Sequence, residues 1–546
     1  MAEVTILSPT KQQPGPSLES RAGWLERVRL EDVAHYGLLA LFIVVGGWLR
    51  LTALSRQSLW FDECDVVVRA QQSLSAVLHT FTAQGENGPL YNLFLHFWMI
   101  LFGSSETSVR LPSALAGVLA IPVIYFVGSR TLGRRVGLFA AGLLTISPYH
   151  DWYSQEAKMY SIAVLLTLLS TLFFIEALRR NGRWWWAAYV IAMSLSFYTH
   201  VTTVLIFVGQ CAFFLATWRR WKGRHKSWLV SVALLTLPYV PIALWAGKVV
   251  LGAAHTWQSK VSLWQMIQIE GTKWAVNRDY VWMEVRGRLI YGSLAGLGLL
   301  AGFLAARRRD NTARWALLFT SLIVLPVILF WILTFKQPLF NDRYLIMSLP
   351  AYLILVALGI HFLERRLWPV AIFAMVFVIA YAWVPLRDIN RSSLPQKEDW
   401  RGAYSTLVAH AQPKDLIVIE PGYLVTTYDY YAEHIDSLDS VKITTIPYLT
   451  TPGFDAQQMA DMIRKAAPGD RVWLVVSPDR VDGVDPQHQL QGWLARGGKP
   501  LFNQVFNGVT VDLYKLPPKS DDPGPGQVTK ALPSAPALAG VRASSP

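Results

Sequence analysis

Pro89-Leu90-Tyr91-Asn92-Leu93-Phe94-Leu95-His96-Phe97-Trp98-Met99-Ile100-Leu101-Phe102-Gly103 is an apolar run whose reading decides the topology of the whole chain. A helix needs about 20 residues to cross the hydrocarbon core, and this run is shorter. If it crossed, the clusters Arg130/Arg134/Arg135 and Arg179/Arg180/Arg183 would fall outside. If it lies along the outer surface, both fall inside, and so do Arg219/Arg220/Lys222/Arg224/Lys226, Arg307/Arg308/Arg309/Arg314 and Arg365/Arg366. Cytoplasmic loops carry the excess of Lys and Arg. Residues 89–103 are therefore expected as a juxtamembrane helix, opened by Gly88-Pro89, because proline suits a first helical turn.

With that run on the surface, the spans fall at 37–54, 111–128, 136–149, 160–178, 184–200, 201–218, 228–246, 289–306, 314–335, 344–362 and 367–385. The expected fold is an α-helical polytopic membrane protein with about eleven transmembrane helices, loose by one or two. Composition agrees: of 546 residues 53% are hydrophobic and 16% charged, where soluble domains carry roughly 25% charged residues. The net charge of +13 is spread over short clusters between apolar runs, which is loop patterning and argues against nucleic acid as a partner. Cys64 and Cys211 are far apart and give neither a disulfide framework nor a Cys-based metal site.

Residues 1–35 read as a cytoplasmic tail, with prolines first and then Arg21, Arg27 and Arg29 on a short surface helix. The first apolar run begins only near Tyr36, so it is expected as a retained anchor rather than a cleaved signal. The transmembrane domain is placed at 36–388, with a long outer loop at 55–109. After Pro385 the composition changes. Short β-rich runs, such as Leu416-Ile417-Val418-Ile419, alternate with helical patterns over 392–518. That is expected as a small extracytoplasmic α/β domain. Residues 519–546 are Pro-, Ala-, Ser- and Gly-rich and are expected to be a disordered tail.

The residues with chemical potential gather at outer boundaries. Trp60-Phe61-Asp62-Glu63 follows the first span. Glu86-Asn87 precedes the juxtamembrane helix, where Glu86 also suits a helix N-terminus. His150-Asp151 and Gln155-Glu156-Ala157-Lys158 lie at a loop tip, His200 at a span end, and Asn341-Asp342-Arg343-Tyr344 at a span start. Their shared depth points to one extracytoplasmic cavity. A cavity with acids and a few cations suits glycosyl transfer. A carboxylate takes the proton from the attacking hydroxyl, and fixed cations and donors stabilise a leaving phosphate. Arg343 is the expected phosphate ligand, because guanidinium binds phosphate as a fork; Lys158, His200 and Tyr344 are placed beside it. Arg110 reads as a headgroup anchor. His150, Asp151 and Glu156 lack clear ligand spacing, so no metal is assigned, and a divalent cation is the one cofactor left open.

The ordered stretches WFDE (60–63), NGPLYNLFLHFWMILFG (87–103), SVRLPSALAG (108–117), SPYHDWYSQEAKMYS (147–161), YTH (198–200) and NDRYLIMSLP (341–350) resemble the family 39/83 branch of the GT-C glycosyltransferases. That branch includes protein O-mannosyltransferases and the aminoarabinose transferase of lipid A. KEDWRGAYSTL (397–407) with Tyr430-Tyr431 is similar to bacterial members carrying an extracytoplasmic C-terminal domain. The resemblance implies a GT-C fold and inverting transfer of a mannose- or arabinose-like sugar from a polyprenyl-phosphate donor. The acceptor would be a protein, lipid or glycan at the outer face of the cell membrane. It implies that Asp62 and Glu63 are the catalytic pair, that Arg343-Tyr344 is the lipid-phosphate site, and that Glu86, Asn87, Gln155 and Glu156 position substrate. The family's lysine after the Glu86 position is absent here, and Lys158 replaces an arginine. The competing classes are a lipid-linked-sugar flippase and a glycan-binding membrane protein. Transporters show paired broken helices and midplane polar residues, and the sequence has neither.

Overall fold

The computed structural model describes residues 18–524, apart from 53, 81–87, 241–259, 278–280, 309, 336–337, 391–395, 436–437, 439–440 and 446–454. The first helix, α1, is continuous over Leu18–Leu51. There is no break between an N-terminal surface helix and the first span. Seven helices among the described residues are long and apolar enough to cross a membrane: Asp32–Leu51 within α1, Glu106–Thr131, Tyr160–Arg180, Met283–Arg307, Asn311–Thr334, Asp342–Glu364 and Trp368–Ile389. The other four expected spans are also helical where described, but shorter, at 12 to 17 residues. The run at 89–103 is helical over Leu90–Phe102, at 13 residues.

In chain order the helices are α2 (Phe61–Gln71), α3 (Leu74–Thr80), α4 (Leu90–Phe102), α5 (Glu106–Thr131), α6 (Arg134–Thr145), α7 (Pro148–Ser154), α8 (Tyr160–Arg180), α9 (Arg183–Thr199), α10 (Val204–Ala216), α11 (His225–Thr236), α12 (Leu263–Val276), α13 (Val281–Arg307), α14 (Asn311–Thr334), α15 (Leu349–Glu364) and α16 (Trp368–Ile389). Most of the segment Asp342–Glu364, a 3₁₀ turn running into α15, is buried, and it forms the centre of the bundle. Helices α13 and α15 meet backbone to backbone. A Cβ on Gly359 would lie 1.9 Å from the Leu294 carbonyl, and one on Gly298 would lie 2.2 Å from that of Leu355. Without water to reward apolar contact, such close approach is a main source of helix association in lipid. Apolar side chains cover the outside, among them Val44, Trp48, Leu101, Phe303 and Phe373.

The C-terminal region is an α/β domain. Its sheet has the order β2 (Lys442–Thr445), β1 (Leu416–Glu420), β3 (Arg471–Val476), β5 (Val509–Lys515), β4 (Phe502–Phe506). The first three strands run parallel, and β5 and β4 close the sheet in antiparallel fashion. Strand alternation divides β1 between two cores. Leu416 and Val418 pack with Met459 and Ile463 of α19 (Ala456–Ala466). Ile417 and Ile419 join a core that runs through α17 (Trp400–His410) and α18 (Val425–His434) into the helical bundle. Order extends beyond 518, contrary to the expected tail: Arg464 holds Asp522 in a two-pronged pair at 2.6 and 2.5 Å, and the Trp493 indole donates to the same carboxylate.

Candidate active site

Asp62 and Glu63 occupy the first turn of α2, behind an extended Trp60 at the N-cap. Carboxylates are favoured at that helix end. Being adjacent, the two point to different surroundings. The Glu63 side chain is fully buried and that of Asp62 is 19% exposed.

Glu63 is saturated. Arg110 forks onto it, with Nε donating to Oε1 at 2.7 Å and Nη2 to Oε2 at 2.6 Å. The Ala157 amide donates to Oε1 at 2.7 Å, and Lys397 Nζ to Oε2 at 3.2 Å. Burial pushes the Glu63 carboxyl up, but Arg110, Lys397 and these hydrogen bonds outweigh it and hold it at about 2. Arg110 spends its remaining donors on the carbonyls of Leu54, Gln57 and Ser58. It therefore fastens the loop that delivers α2. Glu63 shapes the site and has no spare lone pair for a substrate proton.

Asp62 faces the opening. Its Oδ2 accepts from Arg343 Nη1 at 2.7 Å. Burial raises the Asp62 carboxyl, and Lys158, Arg343 and Arg480 together bring it below its usual range. The Arg343 guanidinium lies within 6.0 Å of the rings of Trp60, Tyr160 and Tyr344, and its Nε makes no hydrogen bond. The His200 ring stands between Tyr160 and Tyr344 at 5.6 and 5.5 Å. Thr202 Oγ1 lies 2.8 Å from His200 Nδ1 and donates to the Tyr344 carbonyl. The chain thus brings Asp62, His200, Arg343 and Tyr344 together, with Lys158 close enough to act on the Asp62 charge.

Gln155 and Glu156 belong to the wall behind Glu63. Gln155 donates to the Leu49 carbonyl and to Asp151. Glu156 is 1% exposed, with one oxygen 3.6 Å from Lys397 Nζ and the other without a hydrogen bond. Burial raises its carboxyl; Lys397 opposes this and Glu63 reinforces it. His150 and Asp151 face Arg50, at 3.1 and 3.8 Å. A resident guanidinium does not suit a metal site, and the described residues hold no metal-like cluster. Glu86 and Asn87 lie outside the described residues. The neighbouring Gly88 is pressed against the Tyr198 backbone, where any Cβ would collide at 2.1 Å, so the start of α4 sits beside His200.

Sequence reasoning missed three cations. Arg110, read as a headgroup anchor, is 1% exposed and clamps Glu63. Lys397 enters from the segment before α17 and lies between Glu63 and Glu156. Arg480, in the C-terminal domain, pairs with Glu398 at 2.6 Å and lies 5.9 Å from the Trp60 ring. The KEDWR stretch carried a signal for Lys397, but nothing local marks Arg480. The domain is fastened to the α2 loop throughout. The Leu59 amide donates to the Tyr431 hydroxyl, which donates to Glu106. Gln57 Oε1 accepts from the amides of Gln396 and Lys397.

Residues 86–245 match the family described as dolichyl-phosphate-mannose-protein mannosyltransferase. No curated protein matches the chain in sequence. The structure of ArnT from Cupriavidus metallidurans in the apo state matches with a TM-score of 0.58 at 15% identity, covering 88% of this chain and 98% of that one. Its structure bound to undecaprenyl phosphate matches with a TM-score of 0.51 at 14% identity, covering 87% and 98%. The chain therefore has the fold of a GT-C membrane glycosyltransferase, the resemblance that its motifs predict.

Proposed function

We propose that this protein transfers a sugar, mannose- or arabinose-like, from a polyprenyl-phosphate donor to an acceptor outside the cytoplasm, with inversion. The observation that carries this is the pairing of Asp62 with Arg343 at a partly open site. An acid for the acceptor proton and a fork for the leaving phosphate stand side by side. The binding of undecaprenyl phosphate by ArnT, a protein of the same fold, supports the donor class. The basic clusters support a cytoplasmic N-terminus and an extracytoplasmic C-terminal domain, in a multi-pass protein of the cell membrane.

In the reaction, the donor phosphate takes a share of Arg343. Asp62 loses part of the cation that holds its charge and becomes the stronger base. The acceptor hydroxyl gives its proton to Asp62 while its oxygen forms a bond to the anomeric carbon. The bond from that carbon to the phosphate oxygen breaks, and its electron pair leaves with the lipid phosphate. Arg343, with Lys158 beside it, meets the charge that develops there. Tyr344, Tyr160 and His200 wall the guanidinium. Glu63 and Glu156 hold the frame.

The test is donor consumption by purified protein with a panel of radiolabelled polyprenyl-phosphate sugars, in wild type and Asp62→Asn. Consumption of one donor by wild type alone supports the reading and names the sugar. Equal consumption by both removes Asp62 as the base. No consumption of any donor, with membrane extract supplied as acceptor, sinks the transferase reading.

A further inference from the structure

Two guanidiniums from different parts of the chain lie near the Trp60 ring. Arg343, at the start of the central helix segment, lies 5.8 Å from its ring, and Arg480 of the C-terminal domain lies 5.9 Å from it. Arg480 is also 5.3 Å from the Phe61 ring. Phe61 meets Tyr423 edge-on at 4.9 Å. Arg480 is fixed by Glu398, whose other oxygen accepts from the Trp400 indole at 2.8 Å. Two groups of side chains therefore meet at the Trp60–Asp62 turn. One is Arg343 with Tyr160, Tyr344 and His200. The other is Phe61, Tyr423 and the Arg480–Glu398 pair.

We propose that this second wall is the acceptor subsite and that it takes a saccharide. The proposal rests on the transferase reading. In an inverting displacement the attacking oxygen enters opposite the leaving phosphate, so an acceptor must approach from the side away from Arg343. Of the two groups of side chains, the one not built on Arg343 is the Arg480 wall. Its chemistry is aromatic rings beside a fixed pair of planar polar groups. Rings receive the apolar C–H face of a sugar, and a guanidinium next to a carboxylate offers donors and acceptors for neighbouring hydroxyls. A wholly lipid acceptor would leave the polar pair unmatched, which costs affinity.

The experiment uses the full-length protein and the donor it consumes. Simple aryl glycosides and a Ser/Thr-containing peptide are offered in parallel as acceptors. Transfer to glycosides is expected. Arg480→Ala is expected to raise the glycoside KM roughly ten- to hundred-fold, the scale of a lost charged hydrogen bond, while the donor KM moves less than about two-fold. Arg480→Lys should recover part of the loss. Tyr423→Ser, which leaves the ion pair intact, gives a second reading of the same KM split. Transfer to the peptide and not to glycosides overturns the saccharide. A rise in donor KM with glycoside KM unmoved overturns the placement. Donor consumption with no effect of either variant on the glycoside KM does the same and leaves the transferase reading standing. Absence of all donor consumption by wild type removes both.

Discussion

Asp62 Oδ2 and Arg343 Nη1 lie 2.7 Å apart across 281 positions of sequence. The two groups that the proposed reaction uses in opposite roles therefore neutralise each other in the free protein. On the proposed function, replacing Asp62 removes the base and also frees the phosphate ligand. Asp62→Asn is expected to lower kcat roughly 10²–10⁴-fold, the usual worth of a positioned base, while polyprenyl phosphate binds as tightly as to wild type or more so. Titration calorimetry with the lipid phosphate in detergent checks this, and weaker binding by the variant would contradict the competition.

The same competition sets the pH profile. In the free protein burial raises the Asp62 carboxyl, but Lys158, Arg343 and Arg480 hold it below its ordinary value. A depressed base stays ionised to lower pH, so the acid limb of kcat/KM lies at low pH. With donor bound, Arg343 is shared with phosphate and the limb in kcat moves upward, because kcat reports the complex. Coincident limbs in the two profiles would mean that Arg343 stays on Asp62 throughout.

Glu63→Gln leaves Arg110 and Lys397 buried with less than their charge balance. Breaking a buried pair from one side costs about 3–5 kcal/mol, seen as a lower midpoint of thermal unfolding. The Glu63 carboxyl is held at about 2 against an ordinary 4.5. A depressed carboxylate stabilises fully above its unfolded value and loses that stabilisation as pH falls toward its folded value. The gap between wild type and variant should therefore shrink as the medium is acidified from 4.5 toward 2. A gap that stays constant over that window would show that Glu63 acts through shape alone.

Lys397→Met removes the cation between Glu63 and Glu156. The two buried acids then repel, and α2 shifts with Asp62 on it. A displacement of about 1 Å costs on the order of 10²-fold in rate. The fall is expected in kcat with donor KM little changed, measured by steady-state transfer.

Glu420 works in the opposite direction. It ends β1, is 3% exposed, and is pushed up to about 8 by burial first and then by Asp485. A carboxyl raised in the folded state stabilises at pH below its unfolded value and loses that as pH rises through its folded value. Stability of the α/β domain should decline from about pH 4.5 to about 8. Glu420→Gln should flatten the decline, raising the melting midpoint at pH 8 and leaving it unmoved at pH 4.5. Parallel curves for the two proteins would dismiss Glu420 as the cause.

The membrane plan was legible because lipid admits few solutions. Long apolar runs become helices, and basic clusters order them. The short run at 89–103 is a 13-residue helix, too short for a full span. That Asp62, Lys158, His200, Arg343 and Tyr344 lie near one another was legible too, since each sits at a span boundary. The partners of Glu63 were not. Arg110 sits at the head of an apolar helix like any anchor, and only the fold turns it inward, to 1% exposure. Nor could adjacency in sequence show that Asp62 and Glu63 have separate tasks, because the first turn of α2 points them to different environments. The end of the C-terminal domain was misjudged because composition reports low complexity but not the Asp522 carboxylate that anchors it to Arg464.

The reach of Lys397 back to Glu63, over 334 positions, has a consequence for how the protein is made. A ribosome adding 5–20 residues each second needs roughly 20–70 s to cover that interval. Throughout it, the acid loop is inserted and complete in sequence, yet it lacks the ammonium that settles its buried charge. The buried charge is therefore balanced late in synthesis, and a nascent chain stalled among its last helices would hold both members of the Asp62–Arg343 pair while Glu63 and Glu156 still lack their shared cation.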